Sequence, residues 1–335
     1  MNDRVRLLAI ESSCDETSVA IVEDGRVLSN VIANQSVHAE YGGVVPEFAS
    51  RSHQENIVPV TEIALQKTGM TLHDMHAIAV TLGPGLMGSL LVGVSFAKSL
   101  AYSLNIPLIE VNHMQAHILA HFAELPYPEF PFLCLTVSGG HTQIVLVKDY
   151  LQMEVVGQTR DDAVGEAFDK AGKIFGLGYP AGPQIDQLAK TASPDIKFPI
   201  PQIQGLDFSF SGVKTAVLYH VQDHVKEDPE YIRNHLGSLC ASLQYTLIQI
   251  LMRKLIKAAD EYKIKNIAIA GGVSANSGLR VALEETGQKL GWKTYIPRFE
   301  YCTDNAAMIG IAAYYKYLKK DFSSLQIIPQ ARMVF

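Results

Sequence analysis

Short apolar runs broken by tight polar turns occupy the first third of the chain. RLLAIE (6–11) leads through SSCDE (12–16) into the alternating run TSVAIVE (17–23), and Asp24-Gly25 links that run to RVLSNVI (26–32). An Asp-Gly pair between alternating runs is a hairpin signal. Three strands are therefore predicted before any helix. A helix is expected over about 47–67, followed by the strand AIAVTL (77–82) and the turn Gly83-Pro84-Gly85. A second helix ends near Asn105, and the strand PLIEV (107–111) follows.

The pattern restarts near Phe132. FLCLTV (132–137) runs through SGGH into TQIVLV (142–147), and KDY leads to LQMEVVGQ (151–158). Helices are expected around 165–175 and 236–262, then the strand NIAIAG (266–271), a Gly-Gly turn, a helix, the strand KTYIP (293–297) and a last helix. The Gly/Pro-rich stretch 179–214 between them reads as a functional loop inserted into the second half. Two copies of strand–turn–strand–strand–helix–strand–helix predict a duplicated α/β fold with a ligand held between its halves. Three strands before the first helix argue against βαβαβ winding. The expected boundaries are 1–128 for the first lobe, completed by 304–335, and 129–303 for the second.

Composition narrows the class. At 335 residues and 48% hydrophobic, the chain can bury a core in each of two lobes. The N-terminal apolar run is too short for a signal peptide and no long apolar stretch follows, which predicts a cytoplasmic protein. Cys14, Cys134, Cys240 and Cys302 are far apart, giving neither zinc-knuckle spacing nor a disulfide framework. The net charge of −6 provides no global positive field. A nucleic-acid partner would need local basic patches or a helper protein.

Two kinds of turn carry candidate chemistry. Ser12-Ser13-Cys14-Asp15-Glu16-Thr17 is rich in hydroxyls and acids, whereas Ser138-Gly139-Gly140-His141-Thr142 lets backbone N–H groups approach an anion unobstructed. Gly83-Pro84-Gly85 and Gly271-Gly272 each lie between a strand and a helix, where free N–H groups and the helix dipole attract anions. Neither matches the Rossmann or P-loop spacing. Each turn alone is equally an ordinary connection; four in matching halves favour a nucleotide.

After PLIEV, His113 and His117 are four apart, so on a helix they share a face and can chelate one ion. His121 lies too far along the rise to join them. A zinc peptidase HExxH motif would need glutamate after the first histidine, and that residue is Met114. Asp304 opens the last helix, either as its N-cap or as a third, hard ligand. Two histidines and a carboxylate leave coordination positions open for substrate oxygens.

The segments ESSCDET, YGGVVPEFASRSH, GPGLMGSLLVG, NHMQAH, VSGGHT, DDAVGEAFDK, YPAGPQID, DFSFSGVK, AGGVSAN and CTDNAAM, in that order over nearly the whole chain, resemble the tRNA adenosine threonylcarbamoyltransferase family, TsaD, once labelled O-sialoglycoprotein endopeptidase. The resemblance implies a duplicated actin-like (ASKHA, ribonuclease-H-like) two-lobed fold with a ligand cleft between the lobes. It also implies transfer of threonylcarbamoyl from threonylcarbamoyl-adenylate to the exocyclic amine of the adenosine next to the anticodon, in tRNAs reading ANN codons, with release of AMP. His113, His117 and Asp304 are then expected to bind one Fe2+ or Zn2+. Thr136, Val137, Ser138, Gly139, Gly140, Asp169, Gly182, Asp186 and Asn276 are expected to hold the adenylate. Glu11, Asp15 and Glu16 are candidates for steering or deprotonating the amine, and Arg51 and His53, as exposed helix residues, for contacting tRNA. Bacterial members of the family imply a TsaB-like paralogue and a TsaE-like ATPase as partners, with the apolar face around 86–101 either a docking surface or core. The rival readings are an ATP-dependent kinase or ATPase, which would hold Mg2+ through carboxylates, and an actin-like binding scaffold without transfer chemistry.

Overall fold

In the computed structural model, residues 4–33, 41 and 43–335 are described. Residues 1–3 and Gly42, which belong to the N-terminal and YGGVVP segments read above, lie outside them. The chain divides into two compact units. One comprises Met1–Tyr127, Asp149–Met153 and Pro297–Phe335; the other comprises Pro128–Lys148 and Glu154–Ile296.

The first unit contains β1 (Arg6–Glu11), β2 (Thr17–Glu23), β3 (Arg26–Ala33), α1 (Pro46–Thr68), β4 (Ala77–Gly83), α2 (Met87–Leu104), β5 (Leu108–Asn112) and α3 (His113–Leu119). The second contains β6 (Phe132–Val137), β7 (Thr142–Asp149), β8 (Gln152–Gln158), α4 (Val164–Ile174), α5 (Ala181–Ala189), α6 (Ser211–Glu227), α7 (Tyr231–Tyr262), β9 (Asn266–Ala270), α8 (Ser277–Leu290) and β10 (Lys293–Tyr295). The last helix, α9 (Ala306–Leu318), packs on β1, β2 and α3 of the first unit. The sheet orders β3-β2-β1-β4-β5 and β8-β7-β6-β9-β10 are the same order used twice.

Pairing follows the hydrophobic pattern. β1 runs antiparallel to β2, with Leu7 opposite Val22 and Glu11 opposite Ser18, and parallel to β4. β6 runs antiparallel to β7, with Phe132 opposite Val147 and Val137 opposite Thr142, and parallel to β9. The central strands are buried on both faces and so read as continuous apolar runs. Asp24 and Gly25, both at positive φ, close the predicted hairpin.

The stretch 179–214 is not a plain loop. It contains α5 and the start of α6, neither of which was predicted from the sequence. Pro180 is the N-cap residue of α5 and Pro183 lies in its first turn, where a missing N–H costs no intrahelical bond. The prolines therefore mark a helix start. Tyr231–Tyr262 also begins earlier than the expected 236.

Gly271 lies at φ 87, and a Cβ there would lie 2.4 Å from the Val137 carbonyl oxygen. Gly271→Ala combines backbone strain with a clash against main chain and is expected to destabilise the second unit by roughly 1–3 kcal/mol. Urea unfolding against the unchanged chain measures it.

Candidate functional site

The first unit brings His113, His117 and Asp304 together. Asn112, last residue of β5, caps α3 by accepting from the N–H groups of Met114 (2.9 Å) and Gln115 (3.2 Å). That cap starts the helix at His113, so the two imidazoles project from one face with ring centroids 4.7 Å apart. Asp304 is not the cap of α9; Asn305 is, through the N–H of Met308. The Asp304 carboxylate is thereby left for the histidines, its Oδ1 lying 3.1 Å from His117 Nε2 and 3.4 Å from His113 Nε2. One ligand atom from each of the three residues lies within 4.8 Å of the others. Donors bound at 2.0–2.1 Å in a tetrahedral shell sit about 3.3 Å apart, so these spacings suit one ion. His117 Nδ1 is buried without a hydrogen-bond partner among the described residues.

Glu11 lies behind His113. It is fully buried, accepts from the Ser13 N–H and from Thr81 Oγ1 (2.7 Å), and meets His113 Nδ1 at 3.0 Å. Ser13 Oγ lies 3.2 Å from the same nitrogen. A carboxylate on the far nitrogen fixes the ring's orientation and directs Nε2 toward Asp304. Burial of His113 disfavours its charge, but Asp304 and Glu11 outweigh this and lift its pKa well above the ordinary histidine value. Burial would likewise raise Asp304 and Glu11, yet the His113 charge and hydrogen bonds hold both below the usual carboxylate range. Carboxylates that draw a proton onto a buried imidazole will also draw a cation. Glu16, on the β1–β2 turn, is pushed up to about 9 by burial, then by the negative Asp304 and Asp15. Glu16 thus stands in the field of Asp304, while Glu11 acts through His113.

The adenylate residues expected from the sequence all lie in the second unit. Thr136 and Val137 end β6, and the turn 138–141 is closed by Ser138 N–H donating to the His141 oxygen (2.8 Å) and His141 N–H donating to Ser138 Oγ (3.0 Å). The Gly139 and Gly140 N–H groups make no hydrogen bond among the described residues. Gly165, at the start of α4, packs so closely that a Cβ would lie 2.6 Å from the Ser138 oxygen. Asp169 on α4 accepts from Ala181 N–H (2.8 Å) and from Gly182 at the start of α5. Burial raises its pKa, partly offset by those two bonds. Asp186 on α5 accepts from Ser277 N–H (3.1 Å) and Oγ (2.7 Å). Asn276 caps α8 through Leu279 N–H and donates to Gln244 Oε1 (2.7 Å). Asp169, Gly182, Asp186 and Asn276 are therefore joined through α4, α5 and α8.

Two expectations need correction. The turn 83–85 does not offer free N–H groups, because Gly85 N–H donates to the Ala331 oxygen (3.2 Å) and Leu86 N–H to the Ser13 oxygen (2.7 Å). The chain's own carbonyls fill that anion position. His53 is not an exposed tRNA contact: it is fully buried, bonded to Thr17 Oγ1 (2.7 Å) and the Cys14 oxygen (3.0 Å). Arg51 is exposed and paired with Glu47. Helix α2 is long and apolar enough to cross a membrane by length and composition, but it packs on α1 and β4, while Met87 and Leu91 remain exposed. The sequence presents Ser13 only as part of the hydroxyl-rich turn, without its contact to His113; Thr81 and Gln244 were not anticipated, and no local pattern marks them. Asn112 was also missed, although Asn before a helical histidine run is a cap signal.

Two sheets of one order, each carrying helices, make this a duplicated actin-like α/β protein, here with a His-His-Asp group able to hold a metal. HypF from T. kodakarensis shares the fold at TM-score 0.62 and 14% identity, over 96% of this chain and 49% of that one. Component A of the Acidaminococcus fermentans (R)-2-hydroxyglutaryl-CoA dehydratase does so at TM-score 0.53 and 15% identity, over 94% and 99%. A family model described as TsaD, tRNA N6-adenosine threonylcarbamoyltransferase, matches residues 26–311, and the chain belongs to that family. The protein of that name from Christiangramia forsetii is 61% identical, covering 100% of this chain and 99% of its own length. The one from Clostridium botulinum is 51% identical over 98% and 97%.

His113→Ala removes one of three candidate ligands and also leaves the Glu11 charge buried without its imidazole partner. The variant is expected to lose its bound divalent ion, read by elemental analysis after gel filtration; a metal content equal to that of the unchanged chain contradicts the ligand assignment.

Proposed function

We infer that this chain transfers a threonylcarbamoyl group to N6 of a tRNA adenosine, as the names of its relatives state for them. The observation that carries the reading is the group formed by the buried His113 and His117 with the part-buried Asp304, in a chain of this family. The peptidase alternative lacks its base, since the residue after His113 is the buried Met114. A kinase or ATPase would hold Mg2+ through carboxylates, and two imidazoles in the donor set disfavour that.

The donor is proposed to be threonylcarbamoyl-adenylate and the acceptor the adenosine next to the anticodon in tRNAs reading ANN codons. The N6 amine forms a bond to the carbamoyl carbon, the bond from that carbon to the phosphate oxygen breaks, AMP leaves with the electron pair, and the amine loses a proton. The Gly139 and Gly140 N–H groups are assigned to the adenylate phosphate, and Thr136, Val137, Ser138, Asp169, Gly182, Asp186 and Asn276 to the nucleotide as a whole. The Asp169, Asp186 and Asn276 side chains already bind helix N-termini, so their proposed part is to shape the nucleotide's surroundings as well as to touch it. Iron or zinc, held by His113, His117 and Asp304, would supply Lewis-acid stabilisation of developing oxyanion charge. Glu11 holds the His113 ring, and Asp15 and Glu16 steer the incoming amine. Positioning contributes on the order of several kcal/mol. We place the protein in the cytoplasm, with a TsaB-like paralogue and a TsaE-like ATPase as partners.

The direct test incubates purified chain and partners with synthetic adenylate and unmodified tRNA, with and without chelator. Modified nucleoside should form and chelation should abolish it; product formation that survives complete metal removal removes the ion from the reaction. A finer test uses Gly139→Ala and Gly140→Ala. An added Cβ meets nothing within 4 Å at either position, so stability should hold while KM for the adenylate rises several-fold. By contrast, Asn276→Ala removes a helix cap and is expected to cost about 1 kcal/mol of stability alongside weaker adenylate binding, which equilibrium dialysis would follow.

A further inference from the structure

The final segment of the chain runs back over the turn after β4 and finishes against the residue that starts the histidine helix. Gln330 N–H donates to the Leu82 oxygen (2.9 Å), and Gly85 N–H donates to the Ala331 oxygen (3.2 Å). Gly83 is required for this approach, because a Cβ there would lie 1.9 Å from the Gln330 oxygen. Lys98 Nζ on α2 holds the Ile327 oxygen at 3.2 Å, and Met333 packs against the apolar core of the first unit. Beyond it, Asn112 Nδ2 donates to the Val334 oxygen at 3.2 Å.

That last contact uses the free end of a group whose other end is committed. Asn112 Oδ1 is the cap acceptor for Met114 and Gln115, so the amide is fixed from both sides, by α3 through its oxygen and by the tail through its nitrogen. A second route runs through the turn the tail covers. Leu86 N–H donates to the Ser13 oxygen, and Ser13 Oγ meets His113 Nδ1. The tail therefore bears on the residue that sets where α3 begins and on the loop that contacts the first imidazole.

We propose that residues 330–334 are a strap that positions the histidine helix, with Asn112 as the positioning residue through which the Val334 carbonyl sets divalent-metal affinity. The inference rests on the reading of His113, His117 and Asp304 as ligands. Its structural half, ordering of the first turn of α3, stands without an ion.

The test compares the full chain, a chain ending at Met333, the Asn112→Asp variant and the combination of the two changes. Aspartate keeps the cap acceptor and loses the donor to Val334. Two quantities are measured: amide hydrogen exchange at Met114 and Gln115 in metal-free protein, and Zn2+ affinity by competition with a chromophoric chelator. Each single change should speed exchange at those amides and weaken Zn2+ binding by about three- to tenfold. The combination should be no weaker than the worse single change, because both remove one interaction. Unchanged Zn2+ affinity in the variants of a chain that does bind Zn2+ overturns the strap, as do fully additive losses. If the full chain binds neither Zn2+ nor Fe2+, the ligand assignment fails, and exchange at Met114 and Gln115 decides the strap alone: faster supports it, unchanged overturns it. Should the shortened chain not fold, Asn112→Asp in the full chain carries both measurements.

Discussion

A buried imidazole held between one buried carboxylate and one part-buried carboxylate is the constraint on which the first unit depends. Taking Glu11, His113 and most of Asp304 out of water carries a large desolvation cost, and the three offset it largely through one another, with Thr81 adding a hydrogen bond to Glu11 and His117 one to Asp304. That interdependence demands that β1, α3 and the segment before α9 meet with small tolerance. They come from positions 11, 113 and 304 of the chain. The groups that secure them are main-chain or small polar ones: Ser13 N–H and Thr81 Oγ1 on Glu11, the Asn112 cap on α3, and the Asn305 cap that frees Asp304. Ligand chemistry is thus supported by caps and turns rather than by further charge.

The second unit solves a different problem with the same sheet. Its equivalent turn, 138–141, carries no acid and exposes glycine N–H groups, while the neighbouring elements press against it without side chains. Gly165 and Gly271 are the two positions where a methyl group would collide with the main chain of that turn or the strand leading into it. Close approach of helix and strand to a turn needs such residues. The carboxylates of Asp169 and Asp186 then take up helix N-terminal N–H groups that would otherwise be left unpaired. An acidic chain can in this way present a locally anion-accepting turn despite its net charge of −6.

What could be read from the sequence follows from how local each signal is. The succession of strands along the chain was legible because alternating runs and the Asp24-Gly25 link are local, and because the succession repeats; the order of the strands within each sheet came from the structure. The His113–His117 pair was legible for the same reason, as helical spacing puts both on one face. The role of Glu11 was not, since an acid ending a strand looks the same whether it faces substrate or the back of an imidazole; only the partners Thr81 and Ser13 decide. The stretch 179–214 misled because proline breaks a helix interior yet begins one readily, and Pro180 and Pro183 do the latter. His53 misled because a helix residue's exposure depends on what packs over it, here Thr17 and Cys14.

Duplication makes the divergence of the two turns instructive. In both units the first hairpin turn lies beside the turn after the fourth strand, yet the two have opposite electrostatic character. In the first unit the Ser13 oxygen and the tail carbonyl of Ala331 already occupy the Leu86 and Gly85 N–H groups, and Glu11 and Asp304 set a negative field. An anion there would find its donors taken and its neighbours repulsive, whereas a cation would find imidazole and carboxylate. In the second unit the glycine turn has donors to spare and no acid within the turn itself. The fold sets where the turns lie, and a few hydrogen-bond commitments around them set which sign of charge each accepts.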